Sequence, residues 1–294
     1  MAELSHVYGD FADPEAVGVT PFDIGEINKT MAGLAWQDQG EPDGSDAGQQ
    51  RNYPVPLAEL LGVVQAGAGK RELRQLIGRA RLDQPVLVDI ATASQMVRPY
   101  SWLLNHVGDD GTKLTAADHL PPAHVEAAMT ELGLGEEWIG KGNRENQTLP
   151  VLHLRESASA MGLLRKRHGT LLLSSPARKL RGDPVALWWH LAKRMPPTSR
   201  DTCEAQAGLI LLLALAAETA DDPDVITARL LGMIGWVNAD GTELTELGAN
   251  HASWDTKTVL RRVGALSDDG PRRSVVTPTA EGVAFARAAL RTWH

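Results

Sequence analysis

Cysteine is nearly absent. Cys203 is the only one among 294 residues, which excludes a disulfide framework and a multi-thiolate zinc site. Long apolar runs are missing too. The longest, Ala205 to Ala217, is broken only by Gln206 and Gly208; it falls short of the roughly 20 residues a membrane span needs and predicts a buried helix instead. The opening residues, MAELSHVYGD, carry no basic segment followed by an apolar one. The expectation is therefore a cytoplasmic protein without a secretory signal or a membrane partner. The nine histidines show no ligand pattern: His119 and His124 are five apart, which does not place both on one helix face. No metal or cofactor is predicted. Cys203 lies near a helix start that lowers thiol pKa values, but no histidine follows at a suggestive position, and it reads as a small, partly buried residue.

With 43% apolar and 22% charged residues, most of the chain should be globular. Its net charge of -8 argues against a generic nucleic-acid binder, but the average conceals a division. Residues 1–50 hold ten acids and only Lys29 as a base, whereas residues 151–200 hold ten bases against Glu156 and Asp183. From Asp255 onward, seven bases face four acids. The head is acidic and the middle is basic.

The stretch Gln37 to Asn52, rich in turn formers and almost without apolar residues, reads as a solvated linker. Apolar spacings of three and four predict helices over 57–64, 71–82, 99–106 and 122–132, and another that carries Val151, Leu154, Ala158 and Met161. A helix through ALWWHLAKRM starts at Asp183-Pro184, and Asp201 with Glu204 resembles a capping box for an apolar helix over 202–219. Trp188, Trp189, Trp236 and Trp254 are expected to pack the interior.

The most informative feature is an internal repeat. Residues 107–115, VGDDGTKLT, return at 237–245 as VNADGTELT, a constant offset of 130. A second echo follows each copy: Gly162-Leu-Leu with Leu171-Leu-Leu-Ser-Ser-Pro-Ala177, then Gly264-Ala-Leu with Val275-Val-Thr-Pro-Thr-Ala280. Each copy reads helix, Asp-Gly turn, helix, helix, short hairpin. That order predicts a mainly α fold with small β-hairpins, built as tandem winged helix-turn-helix repeats. The expected division is an acidic head and flexible linker over 1–52, a first winged-helix domain with N-terminal helices over 53–198, and a second winged-helix domain over 199–294.

In a winged helix, the third helix reads the major groove and the hairpin tip touches phosphate or the minor groove. The first copy would present His153, Arg155, Ser157 and Ser159 with Glu156 from its third helix, and Arg165, Lys166 and Arg167 from its hairpin. The second would present Thr256, Lys257, Arg261 and Arg262, with Arg272 and Arg273 at the tip. DNA is the expected partner. The rival reading makes these ordinary solvated faces on a protein-interaction module that binds a protein partner or a second copy in a homodimer. An enzyme ranks third, since spacing singles out no nucleophile–base pair and no paired carboxylates.

Residues 135–142, GEEWIGKG, match a phosphate loop up to the last position, where Gly142 replaces the Ser or Thr that ligates magnesium. No apolar strand precedes it. Residues 133–148 are expected to be a loop joining two helices, anchored by Trp138, with Lys141 and Arg144 exposed. Gly67-Ala-Gly69-Lys70-Arg71 fails similarly, for want of the earlier glycine.

The block LLNHVGDDGTKLTAADHLPPAHVEAAMTELGL, with EEWIGKGNRENQTLPVLHLRES, MGLLRKRHGTLLLSSPARKL and DPVALWWHLAKRMP, resembles the C-terminal region of the TnpR-family passenger proteins of a bacterial insertion element. These are similar to the plasmid open-reading-frame-three-like group. The resemblance covers about residues 95–197 and, less specifically, the second copy. The segment from Phe11 to Asn28 is similar to the tail end of that family's N-terminal domain, whose remainder has no counterpart here. No serine- or tyrosine-recombinase pattern is present, so the resemblance implies no catalytic residue. Its association with mobile elements implies DNA binding by analogy, as a regulator or accessory factor.

Overall fold

A computed structural model describes residues 53–64, 67–268 and 276–292. The acidic head and linker over 1–52, and the predicted tip cations Arg272 and Arg273, lie outside the described residues. The fold is mainly helical, with small antiparallel sheets.

Two N-terminal helices, α1 (Val55–Val63) and α2 (Ala68–Arg79), are followed by α3 (Ile90–Met96) and α4 (Arg98–Val107). Helix α3 has no counterpart in the apolar spacing; its start is a side-chain cap in which Asp89 accepts the Thr92 N–H at 2.9 Å. Next come β1 (Thr112–Lys113), α5 (Pro122–Leu132), α6 (Leu149–Ala160), β2 (Leu164–Arg167) and β3 (Thr170–Leu173). Strand β3 lies between β1 and β2, antiparallel to both. Helices α7 (Ser175–Leu180) and α8 (Pro184–Lys193) lead to the central α9 (Thr202–Ala216).

The second stretch runs through α10 (Pro223–Ile234), α11 (Glu246–Ala252), α12 (Trp254–Arg262), the hairpin β4 (Leu266–Asp268) and β5 (Val276–Pro278), and α13 (Ala280–Arg291). Its element order repeats that of the first, except at the Asp-Gly turn. In the first stretch that turn feeds β1, which joins the sheet, and Leu114 donates to the Gly169 carbonyl at 2.8 Å. In the second it closes on itself through one bridge between Val237 and Glu243. The side chain responsible is Asn238, which donates to Thr242 Oγ1 at 3.0 Å and to the Glu243 carbonyl at 2.7 Å. At the matching position the first copy has Gly108, which has no side chain to tie the turn locally.

Helix α9 is capped as its sequence predicts. Asp201 accepts the N–H groups of Cys203 and Glu204 at 2.7 and 3.2 Å. The capping box is incomplete, because Glu204 takes the Ser199 hydroxyl instead, at 2.5 Å. Residues 207–217 are all buried, the expected fate of a helix that is apolar all round; α1, α2, α10, α11, α12 and α13 pack around it. Gly208 permits a close approach on one side: a Cβ there would lie 2.4 Å from Thr256 Oγ1 and 2.7 Å from Pro196 Cβ. Cys203 sits at the start of α9, 2% exposed. Burial, reinforced by Asp201 and Glu204, pushes its thiol up to about 12, the reverse of the lowering a helix start would bring.

One cluster of buried apolar side chains runs from Leu57 to Leu290, across the predicted boundary at 198–199. Trp188 ties the two stretches together, stacking edge-on against Phe285 at 5.2 Å while its indole N–H donates to Met96 Sδ at 3.1 Å. Trp236 is buried and donates to Gln206 Oε1 at 2.7 Å. Trp254 departs from the expectation: it is 43% exposed. Among the described residues, no helix is long and apolar enough to cross a membrane.

Candidate nucleic-acid interface

Strand register sorts the side chains of the first sheet onto two faces, since residues directly opposite share a side and neighbours along a strand alternate. Leu164 lies opposite Leu173, and Thr112 and Lys166 flank Leu171. Leu164, Leu171, Leu173 and Thr112 are buried, so this is the face that packs on α4 and α6. The other face carries the row Lys113–Thr170–Arg167 and, one step along, Leu172 opposite Arg165. Lys113, Arg165 and Arg167 are exposed. None of the three has an ion-pair or hydrogen-bond partner for its side chain among the described residues. Lys166, on the core-facing side, reaches round to Asp118 at 2.8 Å and, as the main cause, holds that carboxyl below its usual range. The predicted hairpin cations thus separate into two unpaired and one paired, and the sheet adds Lys113. Lys113 stands inside the repeated VGDDGTKLT motif; only the strand pairing places it beside Arg167.

The third-helix residues fare differently. Ser157 is 6% exposed; it accepts the Tyr100 hydroxyl at 3.0 Å and donates to the Leu154 carbonyl at 3.0 Å. Lys257 is 1% exposed, its ammonium bonded to both carboxylate oxygens of Asp224 and to Asn250 Oδ1. Burial pulls this lysine below the usual ammonium range, against the opposing pull of Asp224. Thr256 is 3% exposed. Ser157, Lys257 and Thr256 are therefore corrected from DNA contacts to interior residues.

Arg155 points at Glu145, whose fully buried carboxylate accepts from Arg155 Nε at 2.5 Å and from the Leu120 N–H at 2.7 Å. It locks the loop before α5 to α6. Ser159 is exposed and donates to the Arg155 carbonyl at 3.0 Å. His153 is half-buried, its ring edge-on to Trp254, and burial lowers its pKa. Arg261 lies over the Trp254 ring, 6.0 Å from the centroid, and Arg262 is half-buried beside it. For His153, Trp254 and its neighbour Arg261 the cause is that α6 and α12 pack on one another. The two helices predicted to read grooves face each other.

Helix α7 contributes two more exposed cations, Arg178 and Lys179, without partners among the described residues, while Arg181 pairs with Asp109 at 2.8 Å. No group of three or more potential metal ligands occurs among the described residues. No family model, curated protein or solved structure matches the chain.

Proposed function

We propose that residues 98–173 and 223–278 are tandem winged-helix units. On this reading the chain is a non-enzymatic DNA-binding protein that grips the phosphate backbone with the outer sheet face of its first unit. The observation that carries it is the set of three cations without partners among the described residues, Lys113, Arg165 and Arg167, on one side of β1, β3 and β2. Cations on an open sheet replace the counterions condensed on a duplex, which gives affinity and positioning without base selection. The inward-turned third helices leave base readout a minor part. A role as regulator or accessory factor of a mobile element agrees with the resemblance to the insertion-element passenger proteins.

The test is binding to duplex DNA across a salt series. The wild type should bind at low salt, with log K falling linearly against log salt. K113A/R165A/R167A should reduce that slope by about 2 to 3, at roughly 0.9 for each phosphate no longer neutralised. Absence of binding at low salt, or an unchanged slope, overturns the reading.

The packing of α6 on α12 favours a second reading, a protein-interaction module in which the groove-reading surface serves as an internal joint. In that case K113A/R165A/R167A leaves the biological activity intact, and light scattering reads any homodimer directly.

A further inference from the structure

The loop between the 3-10 turn at Leu134–Glu137 and α6 takes no part in the sheet face, yet it lines a half-open cleft of about 510 Å³. Trp138, Lys141, Asn143, Arg144 and Gln147 are among its lining residues, and none of the described side chains that line it is a carboxylate. Lys141 and Arg144 are exposed, with no partner for either side chain among the described residues. The acid next in sequence, Glu145, is turned away and committed to Arg155 and Leu120.

Trp138 supplies the second observation. Its indole N–H is buried without an acceptor among the described residues, and an unpaired buried donor is costly enough that native structures rarely leave one. The loop is shaped around this group: a Cβ on Gly140 would lie 2.8 Å from Trp138 Nε1, and Gly142 adopts a φ of +59°. Only glycine lets the backbone approach so near and turn back. The first turn of α6 adds its positive end at the rim. Thr148, its N-cap, makes no side-chain cap and donates to the Arg144 carbonyl instead.

We propose that this loop binds a phosphate group, presented by a nucleic-acid backbone or as free phosphate or a phosphomonoester. Lys141 and Arg144 supply the charge, and the unsatisfied Trp138 N–H, covered by Gly140, is the donor that a bound oxygen reaches after a local shift of the loop. Two cations with an unsatisfied donor, and no competing carboxylate among the described side chains, match a tetrahedral oxyanion of more than one negative charge. The site is not a magnesium-nucleotide loop, because Gly142 occupies the ligand position and no strand leads into it. It stands independently of the sheet-face reading.

Calorimetric titration of the full chain tests it, with inorganic phosphate and pyrophosphate in one arm and a short DNA duplex in the other. K141A/R144A, two exposed positions without partners among the described residues, should keep the wild-type far-UV spectrum and weaken binding about tenfold or more, as loss of charge-assisted hydrogen bonds implies. W138F should weaken it as well. Saturation in the first arm assigns free phosphate. Saturation only with the duplex, weakened by K141A/R144A in a K113A/R165A/R167A background, assigns the backbone. Lack of saturable binding in both arms, equal affinity of K141A/R144A, or displacement by equimolar acetate overturns the proposal. In the first arm, K113A/R165A/R167A should bind as the wild type does, so failure of one reading is distinguishable from failure of the other.

Discussion

The imidazole of His153 stands edge-on to the indole of Trp254, ring centroids 5.6 Å apart and planes at 82°. One residue belongs to α6 and the other to α12, so this pair marks the seam between the repeated stretches. Trp254→Ala should cost about 1–2 kcal/mol, the aromatic pairing plus part of the ring's burial. Urea denaturation reads the loss. DNA affinity measured under native conditions should not change, because the cations of the sheet lie elsewhere; a large drop would relocate the interface to the seam.

The buried ion pair of Asp224 and Lys257 joins α10 to α12, with Asn250 of α11 as a third member. Asp224→Ala leaves an ammonium in the interior without its counter-charge, and should destabilise the fold by about 3–5 kcal/mol. The double variant D224L/K257M should recover most of that loss. A double-mutant cycle with no coupling between the two positions would contradict the pairing.

Arg155 and Arg165 provide a contrast between neighbours in sequence. Arg155→Ala removes the arginine from the buried Glu145 carboxylate, leaving it the Leu120 N–H, and should lower stability by about 2–4 kcal/mol while sparing DNA affinity. Arg165→Ala should leave stability within about 0.5 kcal/mol of wild type and weaken DNA binding. Melting and binding measurements on both variants decide the matter, and the opposite pattern would return the interface to α6.

Acid should loosen the fold through its histidines. His106, His153 and His190 all titrate below the ordinary value of 6.5, with burial the leading cause in each. For His106 the neighbouring His124, 2.7 Å away, adds to the effect. The unfolded chain therefore takes up protons first as pH falls. The contribution of these groups is complete above 6.5 and is lost as pH drops through their lowered values. Tm should decline from about pH 7.5 to about pH 5.5, and His153→Phe should flatten part of the slope. A Tm that stays level or rises over this interval would contradict the assignment.

The helices and hairpins were largely legible because their signals are local. Apolar spacing, Asp201 and Asp183 as caps, and the paired turns at 107–115 and 237–245 all act within a few residues of themselves. The candidate site was less legible because burial is not local. Lys257 reads as a surface cation until Asp224, 33 positions away, closes on it. Ser157 reads as a groove-facing polar residue until Tyr100, 57 positions away, reaches it. Lys113 becomes part of a cationic row only when β1 docks beside β3. A polar residue at helical spacing from apolar ones is the signal that marks such cases: Thr256 lies four positions and Lys257 three positions before Leu260.

The sequestered thiol of Cys203 has a practical corollary. A maleimide dye offered to the folded chain near neutral pH meets a sulfur that is 2% exposed and protonated up to about 12. A cysteine substituted for Arg167 on the sheet, or for Lys141 on the loop, would then take the label alone. Either would give a single fluorophore at the surface it is meant to watch, with the native sulfur left in place.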